Sequence, residues 1–252
     1  MHKYFPKRYT VSALAFLGFV VMFYLRTNLS IAVVAMTDGR NRTLENETYF
    51  EEAEFDWDSK ETGVILSCFS YGYFLAPVGG LLAHKFGGAT VFGLGILVTA
   101  FFTILSPILF RFNFYVFITA RILEGALEAF SMAASAELFA RWSPPEERAR
   151  IITYSHTGIF LGTALNYPIS GFVAHHFGWE YIFYVSGVVT IFWYMFWYMI
   201  VSNDPSQDKN ITTAEQMYLK EKITYMGNEK VIIAHIHHQY SLYRAQILNY
   251  YF

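Results

Sequence analysis

Four ionisable side chains fall inside long apolar runs: Arg26, Arg121, Glu124 and Glu128. A charge at mid-membrane costs roughly 2.5–3.5 kcal/mol on insertion scales, so these residues need a reason to be there. Arg121, Glu124 and Glu128 are spaced i, i+3, i+7 and share one helical face. A helical rise of about 1.5 Å per residue puts Arg121 roughly 12 Å and Glu128 roughly 22 Å from a surface near Asn113, and Arg26 about 22 Å from the opposite surface near Val11. In a hydrocarbon core of about 30 Å the two arginines then stand at comparable levels. Two guanidinium forks at one level would clamp an anion, because the fork matches carboxylate and phosphate. Two glutamates one turn apart cannot both ionise cheaply, so one could carry a proton. A structural reading stays open beside this one, in which Arg121 and Glu124 simply pair to fix helix packing. For the set of four, a substrate or ion path is favoured, because ionisable residues in spans usually mark one.

The elements that must hold these residues follow from hydropathy. Of 252 residues, 54% are hydrophobic and 15% charged, with a mean hydropathy of +0.30, against about 25% charged in globular proteins. That excludes a disordered chain and a soluble enzyme of ordinary composition. A net charge of −2 gives no electrostatic ground for a nucleic-acid partner. The lone Cys68 excludes an intrachain disulfide and a thiolate metal cluster. Six apolar runs, at about 11–36, 61–83, 89–110, 113–140, 150–176 and 179–201, each exceed the roughly 18 residues a membrane helix needs. The fold class expected is therefore an all-α membrane protein, a six-helix transmembrane bundle over 1–202 with a tail over 203–252. The first run is too long for a signal peptide, contains Arg26 and lacks a clear cleavage site.

Charge orients the bundle. Lys3, Lys7, Arg8, Lys85, Arg141, Arg148 and Arg150 all fall on one side, which should be cytoplasmic and should hold both termini. The opposite side receives the loop 37–61, rich in Asp and Glu. It carries two N-glycosylation patterns, at Asn41 and Asn46. Asn28 fits the same pattern but lies inside a span and should stay unmodified. Pro77 and Pro168 are expected to interrupt spans two and five. Ser143-Pro144-Pro145 should end span four, with Glu146-Glu147-Arg148 opening a polar connection. Gly158 and Gly162 form a small-xxx-small pattern suited to close helix packing. The aromatic residues of span six, Phe192 to Tyr198, are expected to face lipid and interface. Glu137 should reach the interface or pair with Arg141. A short surface helix is expected near 213–223. His175, His176, His235, His237 and His238 offer no specific metal geometry. No nucleophile elbow, P-loop, HExxH or GxGxxG occurs, so an enzyme is not expected.

These residues carry a resemblance. The sequence is similar to the organic-anion branch of the major facilitator superfamily, the group of sialin, the vesicular glutamate transporters and the sodium-dependent phosphate transporters. The matching stretches are Arg26-Thr27-Asn28-Leu29-Ser30-Ile31-Ala32, Phe55-Asp56-Trp57-Asp58, Tyr71-Gly72-Tyr73, Lys85-Phe86-Gly87-Gly88, Arg121-Ile122-Leu123-Glu124-Gly125 with Glu128, and Trp142-Ser143-Pro144-Pro145-Glu146-Glu147-Arg148. Others are Leu161-Gly162-Thr163, Pro168-Ile169-Ser170-Gly171 and Trp179-Glu180-Tyr181-Ile182-Phe183-Tyr184.

The resemblance implies twelve spans in two six-helix halves, a central site and alternating access. It also implies symport of small organic anions or phosphate, coupled to H+ or Na+, with no other cofactor. By position, Arg26 and Arg121 would bind substrate, and Glu124 and Glu128 would serve proton coupling. Leu127 and Ala129 stand where the family has two glycines, Ala133 and Ala136 replace its proline and histidine, and Ala76-Pro77-Val78-Gly79-Gly80 is one residue short. Six spans make this the N-terminal half only, expected to be truncated, and the tail is atypical after about 226. The alternative is a non-transporting half-transporter, a binding or regulatory membrane protein that pairs with a second six-helix half or with itself. A multi-pass glycoprotein of a lysosomal, vesicular or plasma membrane is expected.

Overall fold

The computed structural model of the chain describes residues 6–37, 40–44, 47–51, 55 and 57–223. Its helices are α1 (Lys7–Thr37), α2 (Ser59–Tyr71), α3 (Ala76–Phe86), α4 (Gly88–Phe112), α5 (Phe114–Trp142), α6 (Pro145–His156), α7 (Gly158–His176) and α8 (Glu180–Ile200). A further helix, α9, covers 213–223, where the sequence predicts one. Six crossings result: α1, α2 with α3, α4, α5, α6 with α7, and α8. By length and composition alone, α1, the α2–α3 unit, α4 and α8 qualify as spans. The 29 residues of α5 are long enough, but they carry Arg121, Glu124, Glu128, Glu137 and Arg141. Helices α6 and α7 run into one another through Thr157, which keeps helical angles (φ −63°, ψ −19°).

Two departures from the expected breaks have local causes. Span two is broken by a 3-10 turn at Gly72–Leu75, and Pro77 then sits in the first turn of α3, where a missing N–H costs nothing. Pro168 lies within α7 and does not end it. The connection after span four is also shorter than expected. Glu146, Glu147 and Arg148 belong to α6, which Pro145 starts and whose first turn the two glutamates favour.

On the far side of the membrane from the chain's N-terminus, the connection between spans one and two contains an antiparallel hairpin, β1 (Arg40–Leu44) with β2 (Glu47–Glu51), where the sequence predicts only a loop. The backbone of Asn41 pairs with Phe50 in this ladder. Asn46 lies outside the described residues, as do His235, His237 and His238. The chain re-enters the bundle at Phe55 and Trp57, whose rings stack 4.7 Å apart, and Asp58 caps α2 with Glu61 closing the capping box.

Two apolar cores stack along the bundle. One, nearer the N-terminus, joins Ala15, Phe19, Phe92, Ile96, Leu138 and Trp142. The other, on the hairpin side, joins Leu29, Met36, Phe110, Phe117, Trp179 and Phe183. Trp193 and Trp197 correct the expectation that the span-six aromatics all face lipid. Four residues apart, they share one face and are buried. Their indole N–H groups donate to Leu14 O and Ala89 O, each at 3.0 Å. Phe192, Phe196 and Tyr198 do point outward. The small-xxx-small pair brings α7 against α1: a Cβ on Gly162 would stand 2.2 Å from Val20 O.

The segment after α8 folds back onto the start of the chain. Glu215 of α9 accepts hydrogen bonds from the backbone N–H of Lys7 (2.8 Å) and Arg8 (3.1 Å), the first residues of α1. Arg8 is shared between Glu215 and Glu147, Lys7 pairs with Asp208 at 3.5 Å, and Lys222 pairs with Glu146 at 2.8 Å. The Lys222 ammonium holds the Glu146 carboxyl below its usual range, so that pair persists through neutral pH and is lost as pH falls through the lowered value. A Glu215→Ala substitution removes charge-assisted bonds worth about 1.5–3 kcal/mol each. Tryptic cleavage at Lys209 and Lys220 should accelerate in that variant, and an unchanged cleavage rate would show that α9 is held by other contacts.

Candidate functional site

Between the two apolar cores lies one band of charge. Helix α5 contributes Arg121, Glu124 and Glu128, and α1 contributes Arg26. The four form two ion pairs. Arg121 Nη1 donates to Glu124 Oε2 at 2.5 Å, with side chains 1% and 0% exposed. Arg26 Nη1 donates to Glu128 Oε1 at 3.2 Å, with side chains 33% and 0% exposed. The first pair is sealed inside the bundle, and the second presents its guanidinium to the surface.

The 3-10 turn of span two supplies a third member. Tyr73 accepts a hydrogen bond from Arg26 Nη1 at 2.7 Å, and its hydroxyl donates to Glu128 Oε1. Its ring also lies 5.0 Å from the Arg26 guanidinium carbon. An unbroken helix would place Tyr73 differently, so the turn at Gly72–Leu75 is what delivers this hydroxyl. The backbones meet closely here. A Cβ on Gly125 would fall 1.9 Å from Phe69 O, which is why this position of α5 excludes any side chain.

The two arginines come from facing helices. Helices α1 and α5 run in opposite directions, and side chains lean toward the N-terminus of their own helix. Arg26 crosses to Glu128 on the facing helix, and Arg121 bonds Glu124 one turn along its own helix. Phe69 of α2 sits between them, with its ring centre 5.5 Å from the Arg26 and 5.3 Å from the Arg121 guanidinium carbon. Cation–π contact with this one ring contributes to both ions. Each guanidinium is held by a carboxylate, Arg26 by Glu128 and Arg121 by Glu124.

Unused hydrogen-bonding capacity concentrates here. Glu124 Oε1, Glu128 Oε2 and Arg121 Nε are buried and have no hydrogen-bond partner among the described residues. Neutral polar groups extend the band: Ser170 bonds Asn166 at 2.7 Å and lies 3.4 Å from the Tyr24 hydroxyl, and Asn28 donates to Ser186 at 3.1 Å. Asn28 is fully buried, out of reach of glycosylation. Tyr73, Phe69 and Asn166 carry no formal charge, so a search for buried charge passes over them. Tyr73 did lie within a recognisable stretch, Tyr71-Gly72-Tyr73. Glu137 pairs with Arg141 at 2.8 Å, as expected. Among the described residues, no group of three or more His, Cys, Asp or Glu converges as a metal site.

The sequence profile of the Major Facilitator Superfamily matches residues 14–248. The chain belongs to this superfamily. Sheep sialin is 35% identical over 228 residues, covering 84% of this chain and 46% of sialin. Vesicular glutamate transporter 1 of Xenopus laevis is 34% identical over 219 residues, covering 86% of this chain and 38% of that protein. The chain thus spans about half or less of the length of these relatives. Among solved structures, the inward-open xylose transporter XylE of E. coli aligns with a TM-score of 0.65 at 15% identity, covering 88% of this chain and 56% of XylE. A bacterial homologue of the lysosomal transporter Spinster, inward-facing, aligns at 0.57 and 14% identity, covering 84% of this chain and 47% of that one. These likenesses fix the fold as half of a major facilitator bundle. This major facilitator chain is a multi-pass membrane protein of a transporter family, not an enzyme.

Breaking the sealed pair of this major facilitator bundle should be severe. Arg121→Met leaves Glu124 buried without its cation, a loss of about 3–5 kcal/mol. The double variant Arg121→Met with Glu124→Met should recover most of it, read as the unfolding temperature in detergent. A double variant as unstable as the single one would mean that packing, not charge, dominates at this site.

Proposed function

We propose that the chain forms the N-terminal half of a secondary active transporter for small organic anions or phosphate, coupled to H+ or Na+. The observation that carries this reading is the Arg26–Tyr73–Glu128 cluster, a one-third exposed guanidinium held by a fully buried carboxylate. An anion arriving at Arg26 competes with Glu128 for the same guanidinium nitrogen. Once Glu128 loses its cation, its buried charge is costly, and taking up a proton removes that cost. Anion binding and protonation of Glu128 are then linked, and each favours the other by the same factor. Release of the proton restores the ion pair and expels the anion. Arg121 and Glu124 act differently: Arg121 adds a positive field behind Phe69, and Glu124 keeps that field from being uncompensated.

The relatives support the anionic class, since the vesicular glutamate transporters name an anion as cargo. Proton coupling draws support from the proton:xylose symporter among the structural neighbours. We place the Lys- and Arg-rich face, with both termini, in the cytoplasm. The hairpin side is then lumenal or extracellular in a lysosomal, vesicular or plasma membrane, with Asn41 and Asn46 glycosylated. Enzymatic deglycosylation should sharpen the band of the wild type and leave Asn41→Gln with Asn46→Gln unmoved; a wild-type band insensitive to the enzyme would argue against this orientation.

Transport is tested by uptake of labelled sialate, glutamate or phosphate into proteoliposomes under imposed pH or sodium gradients. Arg26→Ala should lower uptake at least about tenfold, the equivalent of one charge-assisted bond. Glu128→Gln should leave residual uptake independent of pH. Persistent pH dependence in Glu128→Gln would sink the coupling role. Saturable anion binding lost in Arg26→Ala, without uptake, would favour the second reading, a non-transporting half-bundle that acts by binding. The exposed guanidinium of Arg26 at the bundle surface is what keeps that reading in play.

A further inference from the structure

The polar groups that α7 brings against α1 take no part in either ion pair. Gly158, Gly162, Asn166 and Ser170 recur every four residues and form one stripe of α7. The glycines let the two helices close. A Cβ on Gly158 would stand 2.3 Å from Phe16 O, and one on Gly162 would stand 2.2 Å from Val20 O. That approach carries the next two residues of the stripe, Asn166 and Ser170, up to Tyr24, one turn beyond Val20 on α1. The hydrogen bonds here have a fixed direction. Ser170 has one hydroxyl proton and donates it to Asn166 Oδ1 at 2.7 Å. Its oxygen, 3.4 Å from the Tyr24 hydroxyl, is then left to accept. Tyr24 spends its proton on Ser170 and presents oxygen lone pairs alone.

Ser170 and Asn166 are fully buried, whereas Tyr24 is half-buried. Asn166 Nδ2 has no hydrogen-bond partner among the described residues. An unpaired buried donor costs stability, and a contact that served only to pack two helices gains nothing from it. Tyr24 and Arg26 stand two residues apart, about 200° around α1. They reach opposite neighbours, Tyr24 to α7 and Arg26 to Glu128 and Tyr73. Between them runs the strip of α1 that the other helices leave uncovered, with Phe23 and Thr27 half-buried and Ser30 and Val34 exposed. Thr27 turns its hydroxyl onto Phe23 O at 2.8 Å, and the Phe23 ring lies 5.4 Å from the Arg26 guanidinium carbon. A helix with its side chains is about 10–12 Å across, so the tips of Tyr24 and Arg26 are roughly 10 Å apart.

We propose that Tyr24 is a specificity-determining residue of the anion site. It accepts a hydrogen bond from a hydroxyl or amino group of an organic anion whose acid group lies at Arg26. Ser170 and Asn166 are positioning residues that hold the Tyr24 hydroxyl in that role. The inference rests on the reading of Arg26 as the group that meets the anion. A hydroxyl whose proton is committed accepts O–H or N–H and repels a second carboxylate or phosphate. One edge of the strip therefore takes the charge and the other takes a neutral donor, which fixes both the direction of the ligand and its length. Inorganic phosphate and short simple acids reach Arg26 without reaching Tyr24, so the site favours a hydroxylated or aminated organic anion over either.

The test is equilibrium binding of acetate, gluconate and glucarate to the full chain in detergent. All three offer a carboxylate to Arg26, gluconate adds a chain of hydroxyls, and glucarate ends that chain in a second carboxylate. The wild type should bind gluconate about tenfold more tightly than acetate, the effect of one well-placed hydrogen bond, and more tightly than glucarate. Tyr24→Phe, which keeps the ring, should bring the gluconate-to-acetate ratio to about unity. Asn166→Leu, which releases the relay behind Tyr24, should lower the same ratio. Tyr198→Phe, at an exposed position of α8, should leave it as in the wild type. Equal wild-type affinity for gluconate and acetate, tighter binding of glucarate, or a ratio unmoved by Tyr24→Phe would overturn the inference while leaving Arg26 as the anion's partner. Binding of none of the three, or binding unchanged in Arg26→Ala, would instead sink the reading of Arg26 and this inference with it.

Discussion

The arrangement of the whole bundle depends on the cost of holding charge in a medium that solvates it poorly. Four ions lie in one band, three of them buried and Arg26 one-third exposed, and each has its counter-ion within 3.2 Å. Only one of the two pairs forms within a single helix. The other requires α1 and α5 to pass each other at a fixed height, and it requires span two to break so that Tyr73 can bond both partners. The apolar cores above and below are then committed to their places, because sliding α1 by one turn would separate Arg26 from Glu128 and leave both uncompensated. Replacing such a pair by apolar residues often costs nothing, whereas breaking it costs several kcal/mol. The pair therefore specifies alignment more than it adds net stability.

The asymmetry between the two pairs is the functional content of the band. Arg121 and Glu124 are closed to solvent and separated by one helical turn, so they can exchange partners only if the bundle itself deforms. Arg26 is reachable, and its partner carboxylate is not. An ion that can be approached from one side only, with its counter-charge behind it, responds to a ligand by releasing that counter-charge. Phe69 separates the two arginines without isolating them electrically, since its ring touches both.

Much of this was legible in the sequence, because membranes impose strong rules. Charge in an apolar run and the i, i+3, i+7 face are local signals, and they placed Glu124 and Glu128 correctly on one stripe of α5. The surface helix at 213–223 was also legible from local pattern. What was not legible depended on direction and on distant partners. Counting residues could not show that Arg26 takes its counter-charge from the facing helix, at Glu128, while Arg121 takes its own from the next turn of α5. Trp193 and Trp197 look like the rest of a lipid-facing aromatic run, and only the carbonyls of Leu14 and Ala89, far away in sequence, turn them inward. The break at Gly72–Leu75 was expected at Pro77, and its true consequence, the delivery of a tyrosine hydroxyl, is a tertiary fact.

The contact between Glu215 and the first turn of α1 links residues 208 positions apart. Ribosomes add roughly 5–20 residues per second, so the amides of Lys7 and Arg8 wait about 10–40 s before the carboxylate that will cap them has been made. During that interval the opening turn of the first membrane helix must be held by water or lipid headgroups instead. The opening turn of α1 is thus completed only once α9 has been made, and the return of α9 to Lys7 and Arg8 is an assembly step that follows synthesis of α8.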